Sequence, residues 1–162
     1  MSRDLAAALR ACGEMDSRAA TEARGLISDL RAIKQKIEVR AATLGYSERC
    51  RESIATCRGE CCRWHFPKSL SVVDFLVAVF TLAPDERKAL VKQVEAASNR
   101  SYQCPLLRKD GCIFVFENRP VVCTSAFPCL AESAYWHYKE TFREEIDKLR
   151  AALGRLIDGC VG

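Results

Sequence analysis

Two groups of cysteine are the residues of this chain whose type and spacing could do chemistry. The chain has 162 residues and ten cysteines, and seven of the ten fall in two stretches punctuated by glycine and proline. Thiolate sulfur is the ligand that structural zinc sites and iron–sulfur clusters share. Turns in irregular backbone allow several sulfur atoms to converge. We therefore predict one split metal site, with candidate ligands at Cys57, Cys61, Cys62, Cys104, Cys112, Cys123 and Cys129.

The spacing of these cysteines favours an iron–sulfur cluster over zinc. Structural zinc sites typically contain C-x2-C pairs, and no two of the seven candidates have that spacing. Iron–sulfur sites accept more irregular spacing. We therefore expect a 4Fe–4S-type cluster, with zinc as the alternative. Seven thiols exceed the four that one such cluster needs, so one or two metal centres both stay open.

Basic residues are more frequent than acidic ones around both cysteine groups. Residues 57–68 and 100–119 together contain seven Lys or Arg and three Asp or Glu. Thiolate clusters carry net negative charge, and cations nearby stabilise them. Arg119 is therefore the candidate cofactor-binding residue beside the ligands, although an ordinary solvated surface would show the same charges. Cys12 and Cys160 are left out of the site because lone cysteines pack well as small hydrophobes.

Short motifs around the seven cysteines follow a recognisable order. They are Cys57-x-Gly-x-Cys61-Cys62, Cys104-Pro-Leu, Gly111-Cys112-Ile, Glu117-x-Arg119-Pro120-x2-Cys123 and Phe127-Pro128-Cys129. Over residues 57–129 the chain thereby resembles the CxxCxxCC family of zinc- or iron-chelating cysteine-cluster proteins. This family includes the cysteine-cluster domain of flagellin lysine methylases. The resemblance implies metal chelation by these thiols. It does not imply methyltransferase activity, because the chain has no G-x-G-x-x-G loop.

The chain departs from the family pattern at two places. The family often carries one more cysteine in its first motif, whereas here Cys57 stands alone, with Cys50 seven residues upstream as a stand-in. The family commonly has arginine after the cysteine of the Arg-Pro-x-x-Cys motif, and this chain has Thr124. The role of Cys50 stays open.

Helices must position this site. Apolar residues in the N-terminal and C-terminal segments recur at alternating steps of three and four, except that the step from Ile37 to Leu44 skips one position at Arg40. This pattern is typical of helices that pair through a narrow seam. We expect the charged residues of the first segment, Lys34 among them, on its solvent-facing sides. The same seams could instead pair two copies of the chain as a homodimer. The seam residues are Leu26, Leu30, Ile33, Ile37 and Leu44 in the first segment, and Phe142, Ile146, Leu149, Leu153, Leu156 and Cys160 in the second.

The central segments carry local start and turn signals. Ser71 and Asp74 have the spacing of a capping box before an apolar stretch, which predicts a buried helix, with a strand as the alternative because of its β-branched residues. Pro84 predicts the start of the next helix. Asp110-Gly111 predicts a hairpin that pairs Leu106-Leu107 with residues 113–116. The predicted fold is mainly α: a helical bundle with paired N- and C-terminal helices that carry a cysteine-rich loop and small β-hairpin forming the metal site.

Length and charge bound the remaining expectations. We expect a single domain over residues 1–162, made of N-terminal helices (1–46), a cysteine-cluster module (50–130) and a C-terminal helix (131–160). The net charge of +4 is mild and gives no clear nucleic-acid signal. No apolar run reaches the length of a membrane span, and no signal peptide is evident. A cytoplasmic location follows, where many cysteines indicate metal or redox chemistry.

These features predict a metal-binding protein with an iron–sulfur centre for redox chemistry, electron transfer or an accessory role. Its partner would be another protein or a redox partner. The alternative is a structural zinc protein that acts as a partner-interaction module. Enzymatic activity ranks last, and no catalytic residue is named, because we find no convergent set of His, Asp and Glu.

Overall fold

The computed structural model describes residues 2–45, 70–97, 104, 106–108, 111–112, 114, 118–120, 123 and 133–161. Over these residues the chain is mainly helical, which confirms the helical class. The elements are α1 (Ser2–Glu14), α2 (Ser17–Thr43), α3 (Val72–Thr81), α4 (Pro84–Ala97), β1 (Leu107–Arg108), β2 (Gly111–Cys112), α5 (Ser133–Glu140) and α6 (Arg143–Val161).

Helix α6 lies at the centre of the packing. It contacts α1, α2 and α3, and α3 in turn packs on α1. We refer to α1, α2, α3 and α6 together as the helical frame. Seven consecutive side chains of α3, from Val73 to Val79, are buried, so the prediction of a buried helix is confirmed and the strand alternative is wrong. A helix that is apolar almost all round must be covered on every side, which explains why α3 lies between its neighbours.

Helix α2 contacts both α5 and α6, and the chain from α5 to the start of α6 runs antiparallel to α2. The Arg40 guanidinium lies 5.8 Å from the ring centroid of Tyr138, and the Lys36 ammonium lies 5.9 Å from that of Phe142. The contact partner therefore moves from Tyr138 forward to Phe142 as the position on α2 moves back from Arg40 to Lys36. The N- and C-terminal seams thus meet within one chain, and cations lie over aromatic rings at the edge of the contact.

The buried face of α2 differs from the predicted seam at one chemically important position. Lys34, which was expected on a solvent-facing side, is only 1% exposed. The buried face includes a second line of residues with the same alternating four- and three-residue steps, while Leu26 and Leu44 are only half-buried. A pattern of apolar residue types does not reveal this line, because a lysine occupies its middle position. The line consists of Ala23, Ile27, Leu30, Lys34, Ile37 and Ala41.

Local interactions account for the helix boundaries. Asp16 caps α2 by accepting a hydrogen bond of 2.7 Å from the amide of Ala19. Gly45 follows the end of α2 with a φ of 73°, a left-handed conformation that glycine adopts readily. Ser71 and Asp74 form the predicted capping box, and α4 begins at Pro84. Among the helices of the described ranges, none has the length and apolarity needed to cross a membrane.

Candidate metal centre

The structure describes three of the seven predicted ligands, Cys104, Cys112 and Cys123, together with Arg119. We call the described residues between 104 and 123 the cysteine segment. The other four predicted ligands, and Cys50, lie outside the described residues. These four are Cys57, Cys61, Cys62 and Cys129.

A short hairpin holds Cys112. Strands β1 and β2 are antiparallel, with Leu107 opposite Cys112 and Arg108 opposite Gly111. The described pairing thus involves Gly111 and Cys112, which precede the residues 113–116 that the sequence predicted as the second strand. Cys104 lies three residues before β1 and is 7% exposed, so this hairpin links the two cysteines.

Cys123 lies in a turn just beyond the hairpin. Its amide donates a hydrogen bond of 2.8 Å to the carbonyl of Pro120. Burial raises the pKa of the Cys123 thiol, and the neighbouring Cys104 and Cys112 raise this pKa further, whereas the Arg119 cation lowers it. The three thiols are therefore close enough to interact electrostatically. A buried thiol of this kind ionises only when a cation or metal compensates its charge.

The described thiols do not make a complete metal site by themselves. Across the described ranges, no group of three or more His, Cys, Asp or Glu side chains is close enough together to hold a metal ion. The donor type nevertheless fits zinc or an iron–sulfur cluster, since both take thiolate. A complete ligand set must therefore include cysteines outside the described residues, or it requires Cys104, Cys112 and Cys123 to come closer together.

Lys34 connects the helical frame to the cysteine segment. Its Nζ donates a hydrogen bond to the carbonyl oxygen of Arg119. The Nε of Arg119 donates a hydrogen bond of 3.3 Å to the carbonyl of Phe114. Burial lowers the pKa of Lys34 to about 8, while the charges of Asp74 and Cys123 act in the opposite direction. The lysine is thus a buried cation close to a predicted ligand.

A partly buried ion pair lies in the frame beside Lys34. Arg150 Nη1 donates to Asp74 Oδ1 at 2.7 Å, and Arg150 Nη2 donates to the hydroxyl of Ser71 at 3.0 Å. The amide of Ser71 donates to Asp74 Oδ2 at 2.9 Å. The Asp74 charge raises the pKa of both Lys34 and Cys123. Frame and cysteine segment therefore share one electrostatic network.

The sequence interpretation named Arg119 but missed the other three members of this network. Lys34 could have been found from its place in the line that runs from Ala23 to Ala41. Asp74 was identified only as a capping residue. Arg150 lies 76 residues from Asp74 in the chain, and no local pattern indicates that they pair.

Helical packing with three neighbouring thiols, of which Cys104 is buried, defines the class of protein only broadly, and sequence similarity adds no more to it. No protein-family model matches the chain, and no curated protein or solved structure matches it. The resemblance to the CxxCxxCC family therefore rests on the cysteine motifs and remains a prediction.

Proposed function

We propose that this chain is a cysteine-cluster metal-binding protein that holds an iron–sulfur centre of the 4Fe–4S type. The observation that carries the proposal is the placement of three cysteines: Cys104 just before a two-stranded hairpin, Cys112 within it, and Cys123 near enough that the other two raise its pKa. These residues come from separate places in the sequence and lie near one another beside the helical frame, and a complete ligand set would need further cysteines or a closer approach. The spacing of the cysteines and their resemblance to the CxxCxxCC family support the same proposal.

The chain's own residues fit a negatively charged group. Cys104, Cys112 and Cys123 would bind it together with thiolates from the other predicted cysteines. Arg119 and Lys34 place two cations near Cys123, which favours the thiolate form and the bound cluster. The cluster would supply one-electron transfer, so the role would be redox chemistry, electron transfer to a protein partner, or assistance to a modifying enzyme.

Structural zinc is a second candidate, and one observation favours it. Burial raises the pKa of the Cys123 thiol, and thiols of that kind are typically structural rather than reactive. A zinc ion would tie the cysteine segment to the helical frame without redox chemistry. The helical surface would then be the part that binds a partner protein.

Metal and sulfide analysis after anaerobic purification tests both candidates. Iron with an equal amount of acid-labile sulfide and visible absorbance would support the cluster. Stoichiometric zinc in a colourless protein would support the structural alternative. Native protein that carries neither metal would refute the proposed function. The Cys160→Ala variant is the matched control, because Cys160 lies in α6 and should leave the metal content unchanged.

A further inference from the structure

We propose that Lys34 is the positioning residue of the thiolate site. From the buried face of α2 it holds the backbone at Arg119 and places a cation near Cys123. The proposal rests on the proposed function for the identity of the bound group. The hydrogen bond and the burial of Lys34 do not depend on that identity.

The first support is the set of contacts that leads from α2 into the cysteine segment. The Nζ of Lys34 donates to the carbonyl of Arg119, a residue 85 positions away in the chain. Arg119 contacts the carbonyl of Phe114 through its Nε, and the amide of Cys123 contacts the carbonyl of Pro120. The lysine thus holds the middle of a stretch whose two ends are tied by their own hydrogen bonds.

The second support is the cost of placing an ammonium group there. Lys34 occupies a position in the line of α2 residues that otherwise carries alanine, leucine and isoleucine. Removing an ammonium from water costs several kcal/mol, and an apolar side chain would fill the position without that cost. The lysine is still protonated at neutral pH, since burial lowers its pKa only to about 8.

The third support is the balance of charge. Two cations, Lys34 and Arg150, surround one buried carboxylate, Asp74, which accepts two hydrogen bonds from Arg150. Lys34 also interacts electrostatically with Cys123. A thiolate at Cys123 would therefore be stabilised by this cation, which suits a site for an anionic cluster.

Three variants of the full chain, purified with their metal, test this role. Lys34→Met removes both the hydrogen bond and the charge at nearly constant length. Lys34→Gln keeps a donor but removes the charge. Lys36→Met is the matched control, because Lys36 lies two residues further along α2 and is exposed. The measurements are amide hydrogen exchange, reported separately for residues 114–123 and for the helices, and the midpoint potential of the bound cluster.

For Lys34→Met we expect exchange over residues 114–123 to accelerate about tenfold while the helices keep their protection. We expect its cluster to become about tenfold harder to reduce, which is about 59 mV for a one-electron couple. Lys34→Gln should keep the exchange protection and show the same shift in potential. Lys36→Met should change neither. If the metal is zinc, the effect of the Lys34 charge is measured instead by the rate at which zinc is lost to a chelator. This rate should rise about tenfold in both Lys34 variants.

Two results would overturn the role of Lys34. One is unchanged exchange over residues 114–123 in Lys34→Met. The other is accelerated exchange spread evenly over all helices, which would make Lys34 an ordinary packing residue. If Lys34→Met does not fold, unchanged potential or chelator release in Lys34→Gln overturns the role of its charge. Absence of metal from the wild-type protein refutes the proposed function, and the exchange result still decides the positioning role.

Discussion

In the helical frame, stability comes from apolar burial between long elements, as when Leu30 of α2 and Leu153 of α6 are completely enclosed. In the cysteine segment, regular structure amounts to two strands of two residues each. A few side chains of this segment reach the apolar core, namely Cys104, Leu106 and Phe114. The frame is therefore held mainly by apolar packing, whereas the segment relies more on polar contacts and, on our proposal, on a metal group.

Besides these apolar contacts, the two regions meet at charged residues. Lys34 reaches from the frame to the Arg119 carbonyl, and the buried Asp74 interacts electrostatically with both Lys34 and Cys123. Apolar contacts are non-directional, whereas a hydrogen bond fixes distance and angle. Hydrogen bonds and charges at this boundary can therefore hold thiols in a defined geometry against a frame that is packed mainly through apolar side chains.

The largest effect is expected when a thiol of the segment is removed. Cys123→Ala should lose most of the bound metal and destabilise the fold, because metal binding in small thiolate sites supplies about 10 kcal/mol of folding free energy. Cys104→Ala should behave in the same way. Metal analysis and thermal unfolding would check this, with Cys160→Ala as control. Normal metal content in either variant would remove that residue from the ligand set.

A smaller effect, confined to stability, is expected from a change in the frame. Leu30→Ala removes a side chain that is 1% exposed and should cost about 2–5 kcal/mol of unfolding free energy. The folded protein should keep its full metal content, because no predicted ligand is touched. Val39→Ala is the control on the same helix: its side chain is 61% exposed, and it should change stability by less than about 0.5 kcal/mol. Loss of metal in Leu30→Ala would contradict the separation of the two regions.

The ion pair at the boundary should have an intermediate effect. Arg150→Met leaves the buried Asp74 without its guanidinium partner, although the amide of Ser71 still donates to it. We expect a loss of about 2–3 kcal/mol, at or below the lower end for broken buried pairs, since Arg150 is only partly buried. Denaturant unfolding beside Arg155→Met, an exposed arginine of the same helix, would measure this. Equal stability of the two variants would show that the pair contributes nothing.

The effect that is smallest per step of the experiment, at each change of one pH unit, is a pH dependence that belongs to Lys34. Its pKa is lowered from 10.5 when unfolded to about 8 when folded. Between these two pKa values the unfolded chain binds more protons at Lys34 than the folded chain. This residue therefore makes the free energy of unfolding rise with pH across that window. Below the window, its full cost to the stability of the folded state is present. As pH rises through this window, the unfolding free energy of wild type should increase relative to that of Lys34→Met by at most about 1.4 kcal/mol per pH unit.

Melting temperatures of the two proteins from pH 7 to about pH 10 would check this difference. The raised pKa of Cys123 has the opposite sign, because the unfolded thiol loses its proton first as pH rises. That contribution is present in both proteins to a first approximation, so it largely cancels in the comparison. A difference between wild type and Lys34→Met that does not vary with pH would show that Lys34 is not a buried titrating group.

Local chemistry made much of the fold predictable from the sequence. A hydroxyl and a carboxylate three residues apart, as at Ser71 and Asp74, satisfy the amides of a helix start wherever they occur. Proline at the first position of α4 and glycine after α2 act through their own backbone angles. These signals depend on neighbours within one helical turn, so they hold whatever the rest of the chain does. Likewise, the cysteines indicate a thiolate site through their residue type alone.

Tertiary structure decided which residues meet. The pairing of Asp74 with Arg150, the burial of Lys34 and the approach of Cys104, Cys112 and Cys123 all join positions that no helical or strand period relates. Burial is set by what covers a side chain, and for Lys34 the cover comes from distant parts of the chain. The sequence alone therefore determined the helices and the kind of ligand, because residue type and local spacing suffice for both. The charged boundary beside the thiols exists only where long-range packing brings its members together.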